Sequence, residues 1–194
     1  MIITNVISNE LANLIFIQHN LKFLGLINYS TQGNLSKVIP SLIKHSKHLI
    51  KLFIHEGYNG ICFTPLSFVE EFPNLQELTF RIVFYVDKYF KNLQYVTLPQ
   101  LQVLKFRESS PNHEVLTKFL EKHGENLKVI HLYGNNSQNL AIARLCPNLK
   151  SLYTDFQQDE METLKVILTN CQQLESIKVR CDRLDSLKKM DCWK

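Results

Sequence analysis

The sequence predicts an α/β fold: a parallel sheet with its strands in chain order and its connecting helices packed against one face. Two observations predict it. A short apolar pattern recurs seven times, and several stretches between recurrences carry helical spacing. Composition permits it: 194 residues, 45% apolar and 21% charged, can bury a sizeable core as one domain over residues 1–194.

The recurring unit is polar–Leu–x–x–apolar–x–apolar, as in Asn74-Leu75-Gln76-Glu77-Leu78-Thr79-Phe80 and Asn126-Leu127-Lys128-Val129-Ile130-His131-Leu132. Its first leucines are Leu21, Leu49, Leu75, Leu101, Leu127, Leu149 and Leu174. Their spacing stays within the ~20–29 residues of a leucine-rich-repeat unit, and the Leu pattern is that repeat's signature. The alternating half suits a strand with one face buried, so strands are expected near residues 24, 52, 78, 104, 130, 152 and 177. One strand and one helix cannot bury their apolar faces alone, and stacking does it for all units together.

The connections follow in order. Residues 9–18 and 35–46 read as helices, the second delayed or kinked by Pro40. Thr64-Pro65 opens the next connection. An eighth match, Asn92-Leu93-Gln94-Tyr95-Val96-Thr97-Leu98, puts its first leucine just ahead of Leu101. That is too close for a parallel neighbour, so residues 91–97 are assigned to an atypical connection or an extra strand. Ser110 as N-cap, Pro111 at the first position and Gly124 at the end frame a helix over Glu114–His123, with Val115, Leu116, Phe119 and Leu120 on one face. Gln158–Asn170 groups Met161, Leu164, Ile167 and Leu168. A short helix from about Arg183 to Met190, capped by Asp182, is expected to fold over the end of the core.

Charge and motifs exclude several functions. The net charge of +4 is too mild to announce a nucleic-acid binder, and no apolar run approaches the ~20 residues of a spanning helix. No basic, uninterrupted signal sequence opens the chain. Five irregularly spaced cysteines point to reduced thiols, hence cytoplasm or nucleus, and the sequons at Asn28, Asn34 and Asn135 are then chance matches. No phosphate-binding glycine loop occurs. His113-Glu114 starts like a zinc-protease motif, but Thr117 stands where the second histidine belongs, so it reads as a polar first turn. His45 and His48 lack further ligands nearby and read as a solvated helix end. Cys146 and Cys171 share one column of the repeat, which favours packing over dispersed zinc ligation by Cys62, Cys146, Cys171 and Cys181. No cofactor or catalytic constellation is indicated, so an enzyme is not the expected class. The polar residues before each first leucine (Asn20, His48, Asn74, Gln100, Asn126, Asn148, Gln173) are assigned to backbone groups where helix turns into strand.

The informative surface is the uncovered, concave face. Period-two alternation sends the third, fifth and seventh residues of each unit there. That face includes Lys51, Phe53, His55, Glu77, Arg81, Lys105, Arg107, His131, Tyr133, Tyr153, Asp155, Lys178 and Arg180. Its lysines and arginines exceed its acids by four. Tyr and Arg dominate protein-interface hot spots, so this face is the expected site for a protein partner. Stacking and phosphate contacts would be the rival use, but Glu77 and Asp155 dilute the patch.

Cys146-Pro147-Asn148-Leu149 and Cys171-Gln172-Gln173-Leu174, with Cys181 after the strand, resemble the cysteine-containing repeat of F-box/leucine-rich-repeat proteins. Residues 98–179 resemble the repeat region of the fungal F-box-like set, and the likeness covers roughly residues 20–180. The resemblance implies a leucine-rich-repeat solenoid of the ribonuclease-inhibitor-like kind, with the sheet concave and the helices convex. It also implies the substrate-recognition part of a cullin–RING ubiquitin ligase. Only about twenty residues precede Leu21 and no F-box is legible in them. The expectation is therefore a non-enzymatic recognition module or truncated paralogue, contacting a cullin adaptor only if an F-box lies upstream. A free-standing scaffold or inhibitor is the alternative.

Overall fold

A computed structural model describes residues 2–4, 9–28, 38–56, 66–83, 89–157 and 159–181. Eight strands form one parallel sheet in chain order: β1 (Ile2–Thr4), β2 (Phe23–Asn28), β3 (Lys51–Glu56), β4 (Glu77–Ile82), β5 (Val103–Phe106), β6 (Val129–His131), β7 (Ser151–Phe156) and β8 (Ser176–Cys181). Seven of them sit at the expected rungs. The eighth, β1, has no repeat signature and pairs Ile3 with Leu26.

Register runs straight across the sheet. Leu24, Leu52, Leu78, Leu104, Ile130, Leu152 and Ile177 form one row, and Leu26, Ile54, Phe80 and Phe106 begin the next. Every one of these except Ile177 is buried, and together with the inner sides of the helices they make one core. Where the second row reaches Thr154, the buried hydroxyl donates to Asn139 Oδ1 at 2.7 Å, so a polar residue occupies the row without an orphaned group.

Local hydrogen bonding repeats with the sequence. The amides of Leu75, Leu101, Leu127, Leu149 and Leu174 each donate to the carbonyl three residues back, closing a turn just before the strand. Pro73, Pro99 and Pro147 occupy the second turn position, where the φ fixed by the proline ring is already the one the turn needs. Two successive amides then converge on one carbonyl of the preceding rung, at Lys22, Ile50, Gln76, Gln102, Lys128 and Lys150 in turn. Three of the seven residues of the polar column act as expected: the side-chain amides of Asn74, Asn126 and Asn148 donate to Lys47, Pro99 and Glu125 carbonyls. Gln173, at the last rung, instead donates to Asn148 Oδ1 at 3.2 Å.

The helices whose bounds lie within the described residues are α1 (Asn9–Phe16), α2 (Ile39–Ile43), α3 (His113–His123), α4 (Asn136–Leu145) and α5 (Met161–Asn170). Among the described residues, the connection from β3 to β4 contains a 3-10 segment at Leu66–Glu71, and that from β4 to β5 contains one at Lys91–Tyr95, directly after the helical residues Tyr89 and Phe90. The out-of-step leucine match is therefore a 3-10 turn with Leu93 buried, not an extra strand. Pro40 lies in the first turn of α2, so that helix starts later than residue 35. Asn112, not Ser110, caps α3 by accepting from the Val115 amide at 3.0 Å, while Ser110 donates to the Tyr133 carbonyl. Gly124 follows α3 with helical dihedrals rather than left-handed ones. A Cβ there would sit 2.2 Å from the Leu145 carbonyl oxygen, so glycine is required by close approach of α4.

Three further expectations change. His45 is not solvated: it is 1% exposed, with Nε2 2.8 Å from the Ile15 carbonyl oxygen, joining α1 to the end of α2. Met161 and Leu168 are exposed while Ile167 is buried, because α5 is the last described helix and only its α4-facing side is covered. Thr64, Pro65, Cys62 and the expected helix at residues 183–190 lie outside the described residues.

Candidate interaction face

Among the described residues, the helices pack against the buried rows of the sheet, and alternation brings the other residues of each strand to the opposite face in three columns. The first runs Phe23, Lys51, Glu77, Val103, Val129, Ser151, Ser176. The second runs Gly25, Phe53, Thr79, Lys105, His131, Tyr153, Lys178. The third pairs Ile27 with His55 and Arg81, and Asp155 with Arg180. The expected site residues are thus brought onto one surface, with one correction to their availability: His55 is 4% exposed and is part of the packing rather than the contact surface. Burial, with Arg81 beside it, holds its imidazole below the usual range.

The charges are not a free basic patch. Glu77 lies between two lysines of neighbouring rungs, 3.1 Å from Lys51 Nζ and 2.7 Å from Lys105 Nζ. Burial alone would raise the Glu77 carboxyl, but hydrogen bonds from Lys105 and Lys51 outweigh it and hold the group ionised. Arg180 reaches Asp155 at 2.7 Å, and its guanidinium lies 4.6 Å from the centroid of the Tyr133 ring. Arg81 pairs with Glu108 at 2.9 Å. Glu108 was missed by alternation, which fails once β5 ends at Phe106 and the chain enters the bend at Arg107 and Glu108. The turn-forming run Glu108-Ser109-Ser110-Pro111 was the available signal. Among the described residues, Arg107 is the arginine of this face without a carboxylate partner.

Two aromatic groupings lie on the face. His131 is against Tyr153 with ring centroids 4.0 Å apart, and Tyr133 meets both rings edge-on at 5.7 and 6.0 Å. Burial, then Arg107 and Lys105, lower the His131 pKa to about 4, so the ring is neutral at physiological pH. Near the other end, a hollow of about 550 Å³ is lined by Phe23, Lys51, Phe53, Glu77, Thr79 and Arg107.

Cys146 and Cys171 stack in one column as expected. Both are buried, and the Cys171 thiol is 3.4 Å from the Cys146 carbonyl oxygen. Burial pushes both thiols up, which keeps them protonated and unreactive. Among the described residues no cluster of three His, Cys, Asp or Glu side chains could hold a metal ion, and no helix is long and apolar enough to cross a membrane.

No family model matches the sequence, and no curated protein matches it. Among solved structures, the chain is similar to the crystal structure of a Bacteroides fragilis protein determined as a structural-genomics target. The TM-score is 0.56 at 14% identity, over 92% of this chain and 68% of the other. At that identity the likeness is one of fold, and the fold is α/β with a parallel sheet and helices.

Proposed function

We propose that the chain is a leucine-rich-repeat solenoid that acts as a non-enzymatic protein-recognition module, binding its partner on the uncovered face of the sheet. The observation that carries this reading is that face itself: three columns of side chains in register over successive rungs, with Tyr133, Tyr153, Phe53, Arg107 and Arg180 concentrated on it. Large rigid aromatics and arginines are the groups that supply most interface energy. The rung-by-rung repetition of turn and amide contacts supports the solenoid reading. The pairing of Glu77, Glu108 and Asp155 with cations of the face counts against phosphate-backbone binding. The resemblance to F-box/leucine-rich-repeat proteins makes the specific form of the reading the substrate-binding repeat region of a ubiquitin-ligase receptor, or a truncated paralogue of one. A free-standing scaffold or inhibitor is the same module without an adaptor.

The test is position-specific photocrosslinking in cells. A photoreactive residue in place of Lys178, on the face, is compared with one in place of Lys118, on α3. A discrete adduct from the face position, lost in Tyr133→Ala/Tyr153→Ala, supports the reading. Adducts from the helix position alone overturn it. A cullin adaptor in the recovered complexes favours the ligase receptor, and its absence the free-standing scaffold.

A further inference from the structure

Two features of the face coincide. Arg81 and Arg180 are each held by a carboxylate, at 2.9 and 2.7 Å, whereas Arg107 is exposed and has no carboxylate partner among the described residues. Arg107 also lines the hollow. The hollow's apolar lining comes from Phe23 and Phe53, and the small Thr79 is the neighbour of Phe53 in the second column. Along the same wall, one carboxylate, Glu77, is shared by two ammonium groups, Lys51 and Lys105, so this cluster keeps a surplus positive charge. The local field is therefore positive, consistent with the neutral His131 beside Lys105 and Arg107. An apolar wall beside an unpaired guanidinium selects a ligand that carries both a large apolar group and an anion.

Resting on the protein-recognition reading, we propose that the hollow over Thr79 anchors an acidic peptide segment of the partner. One large apolar side chain of that segment seats against Phe23 and Phe53, and a neighbouring Asp or Glu carboxylate pairs with Arg107. A guanidinium offers a carboxylate two parallel donors, which fixes the direction of the bound segment as well as its charge. The aromatic grouping of His131, Tyr133 and Tyr153 lies further along the same columns and receives the continuation of the segment.

The probe is a random dodecapeptide display library selected on the full chain. Enriched peptides should place a large apolar residue within three positions of an Asp or Glu. Their binding should weaken by about tenfold or more in Arg107→Glu, as expected when a pairing charge is reversed. Arg107→Lys should recover part of the binding, and Phe53→Ala should lower the apolar preference while leaving the acidic one. Arg107 is exposed, so the melting temperature of its variants should stay unchanged and separate binding loss from unfolding. Peptides without acidic residues, peptides that bind Arg107→Glu equally well, or no enrichment would each overturn the proposal. If only Tyr133→Ala/Tyr153→Ala abolishes binding, this anchor is wrong and the protein-recognition reading survives. If neither set of variants matters, both fall. A random single-stranded oligonucleotide that binds as tightly as the peptides, and is lost in Arg107→Glu, would overturn the proposal in favour of nucleic acid.

Discussion

The rungs from β3 to β5 and those from β5 to β8 fill the same layer in different ways. In the first group the connections contain 3-10 segments, and the space behind the sheet is filled by phenylalanines. Phe80 and Phe106 stack at 5.5 Å with rings 16° apart, and Phe90 meets both edge-on at 5.3 and 5.2 Å. In the second group α3, α4 and α5 pack side by side, and the small buried residues Ala141, Ala143, Gly124, Cys146 and Cys171 lie between larger ones such as Leu116, Phe119, Ile142 and Ile167. The two repeats after β6 are also the short ones: the steps from Leu127 to Leu149 and from Leu149 to Leu174 are each shorter than any earlier step between first leucines. Among the described residues, the small buried residues Ala141, Ala143, Cys146 and Cys171 lie in the short repeats, whereas the buried phenylalanines other than Phe156 lie in the longer ones. A repeat unit keeps its strand and turn, while its connection and its filling vary together.

Substitutions at the two extremes test this difference most severely. Phe106→Ala should cost about 3–5 kcal/mol, since it removes a stacked ring from the aromatic group and leaves a cavity. Leu104→Ala and Ile130→Ala, one on each side of the divide, should each cost about 2–5 kcal/mol. A denaturant titration checks all three, and losses as small as the about 0.5 kcal/mol of surface sites would mean that the inward assignments fail. Gly124→Ala should cost about 1–3 kcal/mol or more, because its new methyl meets backbone of Leu145 rather than a movable side chain. If it is neutral, the close helix approach does not set the shorter repeat.

A pH series probes the same boundary. His123, at the end of α3, is buried, with Nδ1 2.8 Å from the Phe119 carbonyl and Nε2 accepting from the Leu98 amide at 2.9 Å. It therefore ties the 3-10 connection to the first helix of the second group. Those partners require the neutral ring, and burial holds its pKa below 6.5. The unfolded chain then takes up the proton first as pH falls. The His123 contribution is complete above pH 6.5 and declines below it. Urea midpoints between pH 7.5 and 5 should fall, and His123→Gln, which keeps one donor and one acceptor, should flatten part of that fall. An unchanged slope would assign the acid sensitivity elsewhere, with His131 the next candidate.

The smallest effect is expected on the open face. Lys105→Ala loses a partly exposed pair with Glu77, a carboxylate that keeps Lys51, and should cost no more than about 1 kcal/mol. A melting shift as large as that of Leu104→Ala would invalidate the division into buried and open faces.

The division itself was legible in the residues because it depends on local rules. Alternation has a period of exactly two, so once Leu104 points inward Val103 and Lys105 point outward. A first leucine preceded by proline and a polar residue marks where the turn ends, and with seven leucine units the sheet order follows. Tertiary structure decided what depends on partners one rung or more away. The type of connection was one such choice, because a segment becomes helical or 3-10 according to the space its neighbours leave. The burial of His45 was another, since it needed the Ile15 carbonyl from a different helix. The pairing of charges was the third. That Lys51, Glu77, Arg81, Lys105 and Arg107 share a surface follows from alternation within each unit. Which cations found a carboxylate, and that Arg107 did not, was set by side-chain reach across neighbouring rungs, a distance that no local pattern encodes.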